Sequence, residues 1–216
     1  MARSDRAAEA MQARGALAIV LASRNPKKAR ELDRIVRDAG LDVRFLSLEL
    51  YPDVPTAPED EATFAGNARA KALWYARATD QLCLADDSGL EVDALGGAPG
   101  VHSARFAGAG ASDAANRAHL LAGLKDVPAE RRTARFRCAL ALADAEQVIF
   151  EAAGTAEGVI LAAEQGAGGF GYDPLFRSTE LGRTFAEVDS AEKDRVSHRG
   201  RALARLVAFL RDTPPG

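Results

Sequence analysis

The sequence predicts an α/β protein in which helices pack on a mixed β-sheet. Two observations support this class: amphipathic helix candidates come early in the chain, and strand candidates come in a run later. With 216 residues, of which 47% are hydrophobic, the chain is long and apolar enough to bury a core in one domain or in two closely packed lobes.

The composition also bounds the function. The net charge of −3 offers no electrostatic basis for binding nucleic acid or a membrane surface. No apolar run approaches the roughly 20 residues of a membrane span, and residues 1–15 lack the apolar segment of a secretory signal. We therefore expect a cytoplasmic protein in which residues 1–15 form an N-terminal extension, either a frayed helix or a disordered tail. The thiols of Cys83 and Cys138 fall in apolar runs and are expected to be buried.

The first organised unit is a strand, a loop and a helix. Residues 17–22 form a continuous apolar run, as in a strand buried on both faces. Asn25 and Pro26 suit the N-cap and the first position of a helix that extends to about Ala39. Basic residues crowd this helix start, where free backbone N–H groups already favour anions. The pattern predicts a phosphate site, with a solvated basic surface as the alternative. The basic residues are Arg24, Lys27, Lys28 and Arg30.

The middle of the chain combines two carboxylates and a hydroxyl. A short apolar strand, residues 82–85, is followed by Asp86, Asp87 and Ser88 and then by Gly89. Alternating apolar residues beyond this point predict a second, half-buried strand that ends at a segment rich in Gly and Pro. Adjacent carboxylates at a strand end suit a hard divalent cation such as Mg²⁺, which prefers oxygen ligands. The alternative is a solvated acidic turn in which the glycine has a positive φ.

Hydrophobic periodicity predicts the other elements. Thr63 and Ser112 suit the N-caps of two helices, and the first of these helices places Asn67 and Lys71 on one face. Strands are predicted for residues 41–48, 133–143, 148–153 and 158–162.

Two later segments carry further chemistry. The glycines around Phe170 and Tyr172 permit close backbone approach to a ligand, and the two rings offer flat faces for stacking a base. A glycine–aromatic turn that plugs a sheet edge is the alternative. Residues 193–201 place Lys, His and Arg immediately before an apolar helix, which suits an anion or the polar edge of a base.

Five motifs occur together and in this order along the chain. They are Ser23–Lys28 with Glu31, Asp86–Leu90, Gly96–Gly100, Phe170–Pro174 and Ser197–Gly200. In this ordered set the chain resembles the inosine/xanthosine triphosphate pyrophosphatase family, over about residues 17–210. The resemblance implies a single domain over residues 16–212. Its implied fold is a two-lobed α/β structure with a long mixed sheet flanked by helices and an active site in the cleft between the lobes.

The resemblance also implies an activity. ITP, dITP and XTP would be hydrolysed to the monophosphate and pyrophosphate with Mg²⁺, by a homodimer. Asp87 would be the catalytic carboxylate and a metal ligand, and Glu59 would be a second metal ligand. Asn67 and Lys71 would support the cleft. Gly66 departs from the family, which more often has an acid there. The residues that would bind the substrate are Ser23, Arg24, Asn25, Pro26, Lys27, Lys28, Ser88, Phe170, Gly171, Tyr172, Asp173, Lys193, His198 and Arg199.

Two other functions remain open from the sequence. A nucleotide-binding regulator that has lost its chemistry predicts a missing carboxylate, whereas Asp87 and Glu59 are both present. A Mg²⁺-dependent pyrophosphatase for modified pyrimidine nucleotides predicts no preference for purines with a 6-oxo group. Pyrophosphate release from a panel of triphosphates separates these functions from the first.

Overall fold

The computed structural model describes residues 17–212, and the N-terminal extension predicted for residues 1–15 lies outside them. The strands are β1 (Leu17–Leu21), β2 (Val43–Ser47), β3 (Cys83–Val92), β4 (Thr133–Ala143), β5 (Val148–Ile160) and β6 (Phe176–Ser178). The helices are α1 (Pro26–Asp38), α2 (Phe64–Thr79), α3 (Asp113–Gly123), α4 (Ser190–Val196) and α5 (His198–Asp212). Short 3₁₀ helices lie at Leu48–Leu50, Asp93–Leu95, Gly100–Arg105 and Ala129–Arg131.

Within the described residues, the strands form one six-stranded sheet in the order β2-β1-β3-β4-β5-β6. Strand β1 pairs in parallel with both β2 and β3, and helix α1 supplies the crossover that a parallel β1–β2 pair requires. Strand β6 pairs antiparallel with β5. The sheet is therefore mixed, and the predicted α/β class is confirmed.

The chain divides into two compact units. Within the described part of the chain, the first unit comprises residues 17–86, 139–152 and 202–212, and the second comprises residues 87–138 and 153–201. Strands β3, β4 and β5 each contribute residues to both units.

The two units have cores of different composition. The first core is rich in alanine, and α2 contributes Ala68, Ala72 and Ala76 as a stripe at helical spacing. The small side chains allow the backbone of α2 to lie close to the strands. The second core contains larger rings, and Phe176 packs on Phe136 and Phe185 with centroid distances of 4.6 and 5.1 Å.

The predicted helix starts are confirmed by their hydrogen bonds. The Asn25 side chain accepts from the backbone of Lys27 and Lys28 at the start of α1. Thr63 and Ser112 cap α2 and α3 in the same way. Each side-chain oxygen satisfies N–H groups that have no partner inside the helix, which is why these polar residues mark the boundaries.

Strand β3 corrects the prediction for the middle of the chain. Asp86 and Asp87 lie inside one continuous strand rather than at a strand end, with only 2% and 8% of their surface exposed. Gly89 lies in the same strand, and its φ is not among the positive values found in the described residues. The acidic-turn alternative is therefore wrong, because these carboxylates are buried in a sheet instead of solvated.

Strand β5 joins two segments that the sequence predicts as separate strands. Its Gly158 pairs with Ser178 of β6, and a Cβ there would come within 2.5 Å of both the Arg177 carbonyl oxygen and Phe176 Cζ. The glycine therefore permits close pairing of β6 with β5. Residues 154–157, which lie between the two predicted strands, continue β5.

Two composition-based expectations can also be compared with the structure. No helix among residues 17–212 is both long and apolar enough to cross a membrane. The thiols of Cys83 and Cys138 are buried and form no disulfide within the described residues, as predicted, and burial raises the pKa of Cys83 to about 12.

We expect Gly158→Ala to lower the free energy of unfolding by about 1–3 kcal/mol, because the new methyl group overlaps main chain that is held in the sheet. Gly123→Ala is the matched control, since a Cβ there meets Leu95 Cδ2 at an ordinary 3.6 Å. The control should keep or raise stability by up to about 1 kcal/mol, because alanine favours helix. Urea unfolding measures both variants, and an unchanged Gly158→Ala would contradict the packing described for β6.

Candidate functional site

The loop between β1 and α1 is closed by its own hydrogen bonds. Ser23 Oγ accepts from the backbone of Asn25 at 3.2 Å, and Asn25 Oδ1 accepts from Lys27 and Lys28 N–H at 3.0 and 3.4 Å. The side chain of Arg24 is exposed and lines a surface depression of about 770 Å³ with Pro26, Arg30 and residues from 47–52. The predicted basic cluster is therefore divided: Arg24 and Arg30 line this depression, whereas Lys28 is bonded to Asp86 of β3.

A chain of hydrogen bonds in the first unit joins two lysines to two acids. Lys28 Nζ lies 3.2 Å from both carboxylate oxygens of Asp86, whose side chain is only 1% exposed. Lys71 Nζ donates to Glu59 Oε1 and to the Asp86 carbonyl oxygen, each at 2.9 Å. Because a buried charge is costly without a partner, these contacts make the Asp86 position dependent on helices α1 and α2.

The loop that carries Glu59 is held by the first turn of α2. Asn67 is 1% exposed, and its Oδ1 accepts from Glu61 N–H at 3.1 Å. A Cβ at Gly66 would lie 2.9 Å from Glu61 Cβ, so glycine at this position makes room for the Glu61 side chain. The departure noted at Gly66 thus has a packing reason, and Asn67 and Lys71 share a face as predicted.

Asp87 and Ser88 continue β3 into the second unit. Asp87 is buried, and Ser88 is half-buried. Successive side chains in a strand alternate between faces, so Asp86 and Asp87 have different surroundings and are suited to different roles. The sequence prediction treats the two acids as one cluster, because their spacing alone carries no information about lysine partners.

The glycine loop of the second unit wraps around a buried carboxylate. Asp173 Oδ2 accepts from Phe170 N–H at 2.9 Å and from Lys193 Nζ at 2.7 Å. Asp173 and Lys193 are 3% and 5% exposed, so this is a buried ion pair. A Cβ at Gly169 would lie 2.2 Å from Asp173 Oδ2, and the φ of +70° also favours glycine. The carboxylate thus organises the loop of residues 168–173, which we call the aromatic loop.

The aromatic loop presents one ring and buries the other. Phe170 is half-buried, and its ring centroid lies 4.9 Å from Lys193 Nζ and 5.7 Å from Arg199 Cζ, at cation–π distances. Tyr172 is only 4% exposed, and its hydroxyl donates to the Ser103 carbonyl at 2.9 Å. Burial raises the Tyr172 pKa. The predicted stacking surface is therefore restricted to Phe170, because the Tyr172 ring is part of the core.

A tight corner between α4 and α5 places the remaining predicted residues. Ser197 Oγ accepts from Gly200 N–H at 3.0 Å, and a Cβ at Gly200 would lie 1.7 Å from the Asp194 carbonyl oxygen. Glycine is needed there because the two helix ends approach so closely. His198 and Arg199 are therefore in the first turn of α5 and not in a segment before the helix. The His198 ring stacks on Phe136 at 4.8 Å and 11°.

The sequence prediction missed two residues that contact the aromatic loop. Asp113 and Arg117 of α3 hydrogen-bond the N–H and C=O of Gly171. Their spacing of four residues with opposite charges was visible in the sequence, but this pattern usually indicates a salt bridge within a helix.

The carboxylates of Glu59 and Asp87 offer oxygen atoms, the type of ligand that a hard divalent cation prefers. Within the described residues, no group of three or more His, Cys, Asp or Glu side chains is arranged to hold a metal ion. Mg²⁺ does not require such a group, because it keeps several waters and binds through one or two carboxylates together with substrate phosphates. Glu59 and Asp87, the predicted ligands, supply oxygen donors of this kind.

Comparison with known proteins relates this arrangement to one family. Residues 19–209 match the model of the Ham1 family. The dITP/XTP pyrophosphatase of Geobacter sulfurreducens is 52% identical over 192 residues, covering 89% of this chain and 96% of that protein. The dITP/XTP pyrophosphatase of Desulforamulus reducens is 50% identical and covers 89% of this chain and 94% of its own length.

Solved structures agree with the sequence comparison. A HAM1 protein from Coxiella burnetii superposes with a TM-score of 0.81 at 39% identity and covers 90% of this chain and 98% of that one. A nucleoside-triphosphatase, dITP/XTP pyrophosphatase, from Mycobacterium abscessus has a TM-score of 0.72 at 48% identity, with 90% and 100% coverage.

The buried pair of Asp173 and Lys193 generates a stability prediction. Asp173→Ala should lower the free energy of unfolding by about 3–5 kcal/mol, because it leaves the Lys193 ammonium buried without its carboxylate. The double variant Asp173→Ala/Lys193→Met should lose less than the single variant, because it removes the remaining charge as well. Urea unfolding of the set measures both effects. A single variant within about 1 kcal/mol of wild type would contradict a coupled buried pair.

Proposed function

The chain belongs to the Ham1 family, and on that premise we propose that it is a nucleoside triphosphate pyrophosphatase for non-standard purine nucleotides. ITP, dITP and XTP are cleaved between the α- and β-phosphates, which yields the monophosphate and pyrophosphate. The relatives named dITP/XTP pyrophosphatase, at 50% and 52% identity over 89% of the chain, support this substrate class.

The observation that carries the proposal is the hydrogen-bonded chain through which Lys28 and Lys71 hold Asp86 and Glu59. An ammonium group has three donors, so Lys28, which is held by the Asp86 carboxylate, is suited to hold a phosphate oxygen as well. We assign Lys28 to the charge that develops on the leaving pyrophosphate, where fixed donors are most effective. Lys71 is assigned to the support of Glu59 and of the Asp86 main chain.

We assign activation of the attacking water to Asp87. A carboxylate in a regular strand is held in position by its neighbours, which suits a general base that must reach a single proton. Ser88 follows it and is assigned to the substrate. Ser23 and Asn25, at the positive end of the α1 dipole, are assigned to phosphate oxygens, because a helix start favours anions.

We propose Mg²⁺ as the cofactor, with Asp87 and Glu59 as the protein ligands. Held by these two carboxylates, the ion would supply positive charge to offset the negative charge at the reacting centre. The protein itself orients the Glu59 carboxylate. Lys71 donates to that carboxylate, and Asn67 accepts from the N–H of Glu61 in the same loop. Such supporting contacts fix the direction of a ligand and its basicity.

We assign base recognition to Phe170, Lys193, His198 and Arg199. The partly exposed Phe170 ring suits stacking, which contributes about 1–3 kcal/mol per base. Arg199 has donors and no acceptor, so it satisfies a 6-oxo group and leaves a 6-amino group unsatisfied. A site of this kind discriminates against ATP, because pairing with the wrong group leaves buried donors without a partner.

We also propose that the chain acts in the cytoplasm as a homodimer. Nucleotides with damaged purine bases are harmful in the pool from which nucleic acids are made, so an enzyme that removes them belongs in that compartment. The homodimer is proposed on the family resemblance.

Pyrophosphate release from ITP, dITP, XTP, ATP, GTP and modified pyrimidine triphosphates, with and without Mg²⁺, tests the proposed function. We expect turnover of the first three to exceed that of the others and to require the cation. Asp87→Asn should retain the fold and lose turnover by about a hundredfold or more, because the amide cannot take a proton from water. Equal turnover of all purines, or preference for the pyrimidines, would overturn the substrate class. Near wild-type activity of Asp87→Asn would overturn its role.

The choice of base is tested at Arg199. Arg199→Gln introduces an acceptor that can satisfy a 6-amino group, so the ratio of kcat/KM for ITP over that for ATP should fall by about tenfold. The exposed Arg195 on α4 provides the matched control, since Arg195→Gln makes the same chemical change elsewhere. A ratio that stays the same while both rates fall would assign Arg199 to phosphate binding or to the fold.

A further inference from the structure

Helix α3 holds both polar groups of one residue in the aromatic loop. Asp113 Oδ2 accepts from the Gly171 N–H at 2.9 Å, and Arg117 Nη1 donates to the Gly171 carbonyl oxygen at 2.9 Å. Asp113 and Arg117 are four residues apart, so they lie on one face of the helix. They hold Gly171 from both sides of its Cα.

Arg117 also ties the loop to the chain that precedes it. Its Nε donates to Glu164 Oε1 at 2.8 Å, while Nη1 reaches Gly171, so one guanidinium group connects residues 164 and 171. The Arg117 side chain is only 16% exposed, which reduces its freedom to leave this position. A planar guanidinium is suited to hold two acceptors in fixed directions.

The backbone at Gly171 requires this kind of support. Its φ is +59°, in the left-handed region, and glycine gains more conformational freedom than other residues when it is released. On the next residue, the Tyr172 hydroxyl donates to the Ser103 carbonyl. The C-terminal half of the loop is therefore fixed to the protein, and the half-buried ring of Phe170 is attached directly to this fixed part.

We infer that Asp113 and Arg117 are positioning residues that hold the aromatic loop in the conformation in which Phe170 receives the purine base. This inference rests on the proposed function. A loop that is ordered in advance costs less conformational entropy when the ligand binds. Stacking is made in the ground state and in the transition state alike, so its loss raises KM and leaves kcat nearly unchanged.

The test compares variants at both positions with a matched control. Asp113→Ala and Arg117→Ala remove the contacts to Gly171, whereas Asp113→Asn keeps an oxygen that can accept from its N–H. Arg132→Ala is the control, because Arg132 is also half-buried but donates to the Leu124 and Val127 carbonyls, outside the aromatic loop. Each variant is assayed for kcat and KM with ITP, and hydrogen exchange of the loop amides is measured without nucleotide.

We expect Asp113→Ala and Arg117→Ala to raise KM for ITP by about five- to tenfold, with kcat changed less than about twofold. Exchange of the loop amides should accelerate in both variants. Asp113→Asn should restore most of the wild-type KM, and Arg132→Ala should leave it unchanged. The double alanine variant should resemble the worse single variant, because both contacts act on one residue.

An unchanged KM in both alanine variants of an active enzyme would overturn the inference and leave the proposed function intact. The same KM in Asp113→Asn as in Asp113→Ala would also overturn it, because the accepting oxygen would then be irrelevant. An equal increase in Arg132→Ala would assign the effect to general loss of stability. A wild-type enzyme that hydrolyses none of ITP, dITP and XTP would overturn the proposed function, and this inference with it.

Discussion

Strand β3 carries two adjacent carboxylates inside a sheet, and a buried charge must be compensated by a partner that is equally well held. Lys28 meets this requirement for Asp86, and Lys71 joins the Asp86 main chain to Glu59. The lysines come from helices α1 and α2, so the packing of both helices determines the position of the acids. The alanine stripe of α2 also contributes to this arrangement, because its small side chains let the helix lie where Lys71 can reach strand β3.

The second unit also contains a buried acid whose charge is compensated, but its partners are different. Asp173 is compensated by Lys193 and by the N–H of Phe170, and Gly169 has no side chain that would obstruct the carboxylate. The loop is thereby folded around its own acid. Both units therefore hold a lysine on a buried acid before any ligand is bound.

Contacts that support the loop are distributed over elements distant in sequence. Asp113 and Arg117 hold Gly171, and Ser103 accepts the hydroxyl of Tyr172. Ser103 Oγ in turn accepts from Leu90 N–H at 2.9 Å. The aromatic loop is therefore a firmly bonded segment, and the partly exposed ring of Phe170 is its most accessible aromatic group.

The sequence by itself determined the α/β class and the starts of α1, α2 and α3, because caps and hydrophobic periodicity are local properties. It failed where a distant element decides the outcome. The two strands predicted over residues 148–153 and 158–162 form one continuous strand, β5, with which β6 pairs. The acids of β3 do not form a turn, because they are buried in the sheet. The partners of Asp86 and Gly171, and the burial of Tyr172, were decided by the tertiary structure, since residues separated by 58 and 69 positions meet only after packing.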